Sequence, residues 1–383
     1  MSAPKVALVR QKYNPAGGAE RFVSRAMDEL AKQGVAVTLI TRQWHDASKR
    51  TVVELNPWYL GSTWRDEGFA RAVCRHQKQV HYDLVQSHER LECCDVYRAG
   101  DGVHREWLEQ RARNLDPLRR LAIHLNPHHG YLLRTERRMF ESPRLRAVIC
   151  NSRMVRDDIQ RHFKIDESKL NIIYNGVDLD EFNPVRAREL RKAARLKLGI
   201  ASDVLAILHV GSGFERKGVA VLLRALALAR GDGHLIVVGR DKHEARYRKL
   251  AAGLGIAERV HFSGPQSDPK SFYAAADAFA TASLYEPFSN ATVEALAMGL
   301  PVVTSSKSGA AEIIENGRTG YVCDALDVGG FAAAFQAFAD RERRLAMGVA
   351  ARAQAEKFSL ADKTQELIEL YSRLLAMPQS SAQ

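Results

Sequence analysis

The sequence predicts an α/β protein of two doubly wound, parallel-sheet domains, and three observations lead there. Short apolar runs alternate with stretches of helical period along most of the chain, the pattern of parallel strands covered by crossover helices. The alternation comes in two series, separated by NGVDLDEFNP and the charged RARELRKAARLKLGI. With 383 residues and 46% hydrophobic composition, the chain exceeds what one core usually holds.

The first series contains the strands KVALV, VAVTLIT, DLVQS and AVICN, with helices over GAERFVSRAMDELAKQG and SRMVRDDIQRHF, the latter N-capped by Ser152. The crossing divides the chain into residues 1–180 and 181–358. The second series opens with VLAILHVG and continues through LIVVG, RVHFSG, AFATAS, PVVTS and GYVCD. Its helices are KGVAVLLRALALA, HEARYRKLAAGLG, PKSFYAAA, NATVEALAMG and AAEIIENG. A last helix, Leu360 to Met377 within residues 359–383, carries Leu367, Ile368, Leu370, Tyr371, Leu374 and Leu375 on one face. That face must be buried, and the first domain is the expected place. Open parallel sheets bind ligands at the carboxyl ends of their strands, so two facing sheets predict a central cleft.

Composition narrows the function. No window approaches the ~20 apolar residues of a membrane span; the most apolar helical stretch, Val219 to Ala229, is interrupted by Arg224. The run Val6 to Val9 is too short for a signal peptide, so a cytoplasmic location is expected. Cys74, Cys93, Cys94, Cys150 and Cys323 are odd in number and form no CxxC pair, so reduced thiols are expected rather than a disulfide framework or zinc site. The formal charge of +11 favours an anionic partner. From Arg105 to Arg146 there are ten arginines, no lysine and five acids, interleaved with leucines and aromatic residues. This suits an anionic membrane surface on the inner face, and equally a solvated helical face with its own core stripe. No helix-turn-helix, zinc or RNP signature accompanies the charge, and no nucleic-acid partner is expected.

The chemistry concentrates in four places. Glu286 and Glu294 bracket EPFSNATVE: the first lies before Pro287, where helix is disfavoured, and the second inside a helical pattern. Ser289 or Asn290 caps that helix, aiming its N–H groups at the space between the acids, so sugar hydroxyls and a phosphate can be held together. Gly17 and Gly18 lead the first strand into a helix, a close-approach loop for a phosphate or sugar, though neither G-x-G-x-x-G nor a P-loop is present. In HVGSGFERKGV, Gly211 and Gly213 allow a tight loop and Arg216 and Lys217 precede a helix, where cations are disfavoured unless an anion is supplied. Two adjacent cations there match a diphosphate. In the first domain, Asp101 sits in the glycine-flanked turn AGDG and His88 follows the strand DLVQS, places from which both can reach the cleft. Two metal-like patterns are discounted. Pro127 breaks the helix that would align His124 with His128, and Asp178 and Asp180 read as turn residues or caps. No metal is expected.

Together, GGAER, NGVD, VGSGFERKGV, VVGRD, FSG, AAADAFATAS, EPFSNATVEALAMGLPVV and GRTGYV, in this order over most of the chain, resemble the retaining nucleotide-sugar glycosyltransferases of the GT-B fold with the E-x7-E motif, family 4-like. VGSGFERKGV, VVGRDK and DVYRAGD look most like the lipopolysaccharide core glucosyltransferase type. The resemblance implies that Arg216 and Lys217 bind the donor diphosphate and that Glu294 holds the ribose. It implies that Glu286 faces the transferred sugar beside Phe288, Ser289 and Asn290, and that the ends at Arg240 and Gln266 approach the base. Asp101 matches an acidic position of the similar glucosyltransferases. The implied reaction is metal-independent transfer of a hexose, preferably from a UDP-hexose such as UDP-glucose, to a glycan or glycolipid hydroxyl, with no cofactor beyond the donor. Alternatives on the same scaffold are a nucleotide-sugar epimerase, a phosphorylase, or a non-enzymatic membrane-associated sugar-nucleotide sensor.

Overall fold

The computed structural model describes residues 3–12, 28, 30–32, 34–43 and 51–376, without the side chain of His124. The chain divides into two compact units, Met1–Asn175 with Ala361–Gln383, and Gly176–Leu360. The boundary thus lies at Asn175/Gly176 rather than after residue 180. The outgoing and returning chains run side by side at the edge of the second unit, which explains the earlier boundary. Val177 N–H donates to the Phe358 carbonyl and Leu360 N–H to the Val177 carbonyl, both at 2.9 Å. Gly176 has no room for a side chain against the Ser359–Leu360 backbone.

In the first unit, the described strands are β1 (Lys5–Val9), β2 (Ala36–Thr41), β3 (Thr51–Glu54), β4 (Leu84–Ser87), β5 (Val96–Arg98), β6 (Ala147–Cys150) and β7 (Leu170–Ile172). Their order is β3-β2-β1-β4-β5-β6-β7, and every pairing is parallel. The second unit orders β8 (Ala206–Val210), β9 (His234–Val238), β10 (Val260–Gly264), β11 (Ala278–Thr281), β12 (Val302–Ser305) and β13 (Gly320–Cys323) as β10-β9-β8-β11-β12-β13, again all parallel. Both orders reverse direction once, between β1 and β4 and between β8 and β11. Such a switch point opens a crevice at the strand carboxyl ends.

Near-continuous apolar strands such as AILHV and HLIVV are buried because helices cover both faces of a parallel sheet. The helix Val219–Leu228 is apolar except for the exposed Arg224 and packs with Phe214, Tyr247, Phe331 and Phe335 in the second core. Ser152 caps Arg153–His162 as predicted, its hydroxyl accepting from Val155 N–H. The predicted helix over residues 18–34 lies largely outside the described residues. Strands β5 and β7 carry three residues each, too few for their period to show in sequence, and β3, at the sheet edge, is TVVE with both ends exposed and no buried residue. AAEIIENG is not an α-helix but a 3-10 turn, Gly309–Ile313. Its start is tied by Gly309 N–H to the Glu286 carbonyl at 2.8 Å and its sequel turns at Gly317, leaving no length for α-helical propagation.

The final helix, Leu360–Ala376, enters the first unit after Leu360. It buries Leu367, Ile368, Leu370, Tyr371 and Leu374. The Tyr371 hydroxyl donates to Gln86 Oε1 in β4 at 2.5 Å, and Arg146 reaches the Leu374 carbonyl.

The thiol expectation needs correction. Cys74, on the helix Gly61–Gln79, and Cys93, in the loop after β4, form a disulfide with Cα atoms 5.7 Å apart. The pair carries no spacing motif, and only the packing of that helix over the loop brings the two together. Cys94, Cys150 and Cys323 are free, and burial pushes Cys150 up to about 12 and Cys323 up to about 11. Among the described residues no helix is long and apolar enough to cross a membrane.

Candidate functional site

All six strands of the second sheet run parallel, so the loops after β8, β9, β10 and β11 open on one edge, and the predicted donor residues gather there. The loop after β8 is shaped by glycines. A side-chain carbon on Gly211 would sit 3.0 to 3.3 Å from the Lys217 Cε, Cδ and Cγ atoms, so the lysine stem lies directly across the bare backbone. Gly218 has φ +69°, and any Cβ there would collide with the Ala282 carbonyl. Lys217 is thereby held almost fully buried at the start of the helix.

Arg216 and Lys217 converge on a single oxygen. Glu286 Oε2 accepts from Arg216 Nη1 at 2.6 Å and from Lys217 Nζ at 2.5 Å. The Glu286 backbone is fixed on both sides, its N–H donating to the Lys307 carbonyl at 2.9 Å and its carbonyl accepting from Gly309. Burial pushes the Glu286 carboxyl up, but Lys217 and Arg216 more than offset this and hold it below its usual range. Lys217 moves down: burial pulls it down, Glu286 opposes that, and Arg216 adds to it. The two directions fit together, because one carboxylate shared by two cations is well stabilised while each cation is only partly neutralised. The triad keeps one surplus positive charge, and an anion is the group that would balance it.

Ser289, not Asn290, caps the helix Asn290–Ala297, its hydroxyl accepting from Thr292 N–H at 3.3 Å. Phe288 and Ser289 are buried and Asn290 is half-buried as the first helical residue. Glu294 lies one turn on, and its Oε2 accepts from the buried Tyr273 hydroxyl at 2.8 Å. Tyr273 therefore orients the predicted ribose ligand, a role invisible in sequence because PKSFYAAA reads only as a helix. Arg240 follows β9 with its side chain exposed, its backbone N–H bound to Ser212 Oγ at 3.1 Å and its carbonyl to Gly213 N–H at 3.0 Å. Gln266 follows β10, exposed, its amide donating to the Ser263 carbonyl at 2.7 Å. Asp241 Oδ2 accepts from Phe214 N–H at 2.7 Å, tying the loops after β8 and β9 together.

His209, in β8, was missed. Its signal was a polar residue inside the otherwise apolar strand AILHV. It is fully buried and its Nδ1 pairs with the Ala280 carbonyl at 2.9 Å.

In the first unit, Gly17 and Gly18 lie outside the described residues. Asp101 is exposed in the turn after β5 and acts electrostatically on Arg90 and Glu89. His88 follows β4 at the switch point, with Arg10 Nη1 3.3 Å from its Nδ1 and Gln86 Nε2 3.2 Å from its Nε2. Burial first, then Arg10 and Arg98, push its pKa well down and keep the ring neutral. Glu89 was also missed. Its carboxylate accepts from Gln11 N–H at 2.9 Å, and burial raises its pKa. His104 Nε2 faces His129 Nδ1 at 3.1 Å, and burial lowers His104 to about 3.

The helix break at Pro127 is as read: one helix ends at Leu125 and the next begins at Pro127. His128 turns to Thr63 and Asp66. Asp178 Oδ1 accepts from Asp180 and Glu181 N–H groups, a turn cap. Glu106, Glu109 and His162 group their ligand atoms closely, but the buried Glu106 is already neutralised by Arg161 at 3.2 Å beside His162 at 3.4 Å.

Two Rossmann-like sheets, the second with paired cations and a helix start at its strand ends, define the class: a doubly wound α/β protein of two parallel-sheet units. The family model described as Glycosyl transferases group 1 matches residues 191–354, and that described as Glycosyltransferase Family 4 matches residues 16–181. A D-inositol 3-phosphate glycosyltransferase of Streptomyces scabiei is 30% identical over 399 residues, covering 93% of this chain and 86% of its own. The lipopolysaccharide glucosyltransferase WaaG of Escherichia coli K12 is 27% identical over 323 residues, 83% of this chain and 84% of its own. A crystal structure of WaaG, a glycosyltransferase involved in lipopolysaccharide biosynthesis, superposes with a TM-score of 0.81 at 25% identity, covering 95% of this chain and 99% of that one. The chain belongs to this family of glycosyltransferases and has its GT-B fold, as the motifs implied.

Proposed function

We propose that the protein is a retaining, metal-independent hexosyltransferase that moves a hexose from a nucleoside diphosphate sugar, preferably UDP-glucose or a related UDP-hexose, to a hydroxyl of a lipopolysaccharide core or lipid-linked glycan. The observation that carries this reading is the convergence of Arg216 and Lys217 on Glu286 at the strand ends, with surplus positive charge where a diphosphate would bind. Arg216 and Lys217 take the diphosphate, and their attraction grows as the leaving oxygen gains charge. Glu286, freed from the cations, positions the transferred sugar. Glu294, oriented by Tyr273, accepts two ribose hydroxyl hydrogen bonds. The acceptor oxygen bonds to the anomeric carbon as the bond to the diphosphate oxygen breaks on the same face. The hydroxyl proton passes to that departing oxygen, and configuration is retained. Asp101 serves the acceptor side, and Arg240 and Gln266 lie by the base.

The enzyme works at the inner face of the cytoplasmic membrane. Support comes from the helix Pro117–Leu125, which exposes Leu118, Leu121 and Leu125 on one face beside Arg119 and Arg120. Replacing the three leucines with serine is expected to abolish co-sedimentation with anionic liposomes and leave turnover on a water-soluble acceptor intact.

The donor assignment is tested by thermal stabilisation with UDP, GDP, ADP and CMP. A selective rise with UDP is expected, followed by an α-linked product from an α-linked donor in the anomeric NMR signals. An inverted product, or no transfer to any acceptor hydroxyl, would overturn the proposal.

A further inference from the structure

His209 stands in β8, two residues before Gly211, and residues at i and i+2 of a strand share a face. The direction a Gly211 side chain would take is filled by the Lys217 stem, with Cε 3.0 Å from the position of the absent Cβ. Gly211 continues the ladder of β8, its N–H donating to the Val238 carbonyl at 2.9 Å, so His209 faces the side of the sheet that the lysine stem crosses, and Lys217 acts electrostatically on the ring. The ring is fully buried, and Nδ1 pairs with the Ala280 carbonyl, so Nδ1 carries the proton and Nε2 presents its lone pair. That Nε2 finds no hydrogen-bond partner among the described residues. A buried acceptor left unpaired is costly and calls for a donor that arrives in another state of the site. Burial lowers the ring pKa to about 4, the Ala280 hydrogen bond opposing it and Lys217 and Arg216 adding to it, so the ring is neutral at pH 7.

We propose that His209 is a positioning residue for Lys217: its Nε2 accepts a hydrogen bond from the ammonium when a diphosphate displaces Glu286 from the cation pair. The inference rests on the diphosphate role of Lys217 and deepens it. The ammonium is held by Glu286 at 2.5 Å. Once Glu286 turns to the sugar, Lys217 has three donors and the phosphate takes only part of them. His209 supplies the remaining fixed acceptor, so the cation meets the diphosphate in one orientation.

The test compares UDP and uridine binding by calorimetry in the full-length chain, wild type, His209→Leu, His209→Asn and His209→Gln. Leu fills the volume without an acceptor; Gln restores an acceptor at the reach of Nε2, whereas Asn stops short. The Leu and Asn variants are expected to lose about tenfold in UDP affinity, to keep uridine affinity, and to lose less than wild type when Lys217→Met is added; Gln recovers UDP binding. Uridine binding also certifies that each variant is folded. Equal UDP affinity in wild type and His209→Leu, or strictly additive effects of His209→Leu and Lys217→Met, would overturn the role of His209 alone. If wild type binds uridine and UDP equally, the diphosphate reading itself fails, and this inference with it.

Discussion

Replacing Lys217 with methionine separates charge from packing, because the aliphatic stem that crosses Gly211 is kept while the ammonium is lost. For the free protein the effects oppose each other. Glu286 loses a charged hydrogen bond, worth about 1.5–3 kcal/mol, but keeps Arg216 at 2.6 Å, and burial of an incompletely neutralised ammonium is relieved. The net change is therefore within about 1 kcal/mol of zero, a shift of about 2–4 °C at most in the unfolding midpoint of the second unit. Binding and chemistry have no such offset. Loss of one charged contact to the diphosphate predicts a weakening of UDP binding by about 10- to 100-fold. Loss of a fixed cation at a leaving group predicts a fall in turnover number of about 10²- to 10³-fold. The assay is steady-state transfer with varied donor alongside thermal unfolding of the same preparations. Wild-type turnover in a folded Lys217→Met protein would refute the assignment, as would a collapse of stability large enough to account for the lost activity.

Glu294→Ala is expected to raise the donor KM about tenfold with little change in kcat, and Tyr273→Phe to do the same more weakly, since it removes only the hydrogen bond that orients the carboxylate; a pure kcat effect would rule out the ribose role. Gly218→Ala forces a side chain into a left-handed backbone position against the Ala282 carbonyl, so destabilisation above about 2 kcal/mol is expected, and an unchanged melting curve would contradict the packing of that loop. Glu286 titrates below its ordinary value of 4.5 in the folded chain. It therefore contributes stability that is complete above that pH and lost as pH falls through the folded value. Glu286→Gln should flatten the acid limb of the stability profile below pH 4.5, and identical acid limbs would show that the carboxylate is not held by the cations.

The amino-acid sequence by itself determined the two parallel-sheet series, the loop with Arg216 and Lys217, and the E-x7-E segment. These are local signals: apolar period, glycines at strand ends and a cap before a helix each act within a few residues. Strands β5 and β7 escaped because three residues carry too little period, and β3 because an edge strand with no buried residue carries a weak apolar signal; all three are held by their neighbours in the sheet. Contacts between distant segments were decided only by the tertiary structure. Cys74 meets Cys93 because a helix packs over a loop, Tyr273 reaches Glu294 from a different helix, and Glu286 is drawn onto both cations because β8 and β11 are adjacent in space. His209 shows the division most plainly. Its place in an apolar strand was visible in the residues, but its bare Nε2 acquires meaning only from the parallel pairing that puts Ala280 on its other nitrogen and the glycine two residues on that lets the Lys217 stem cross the backbone.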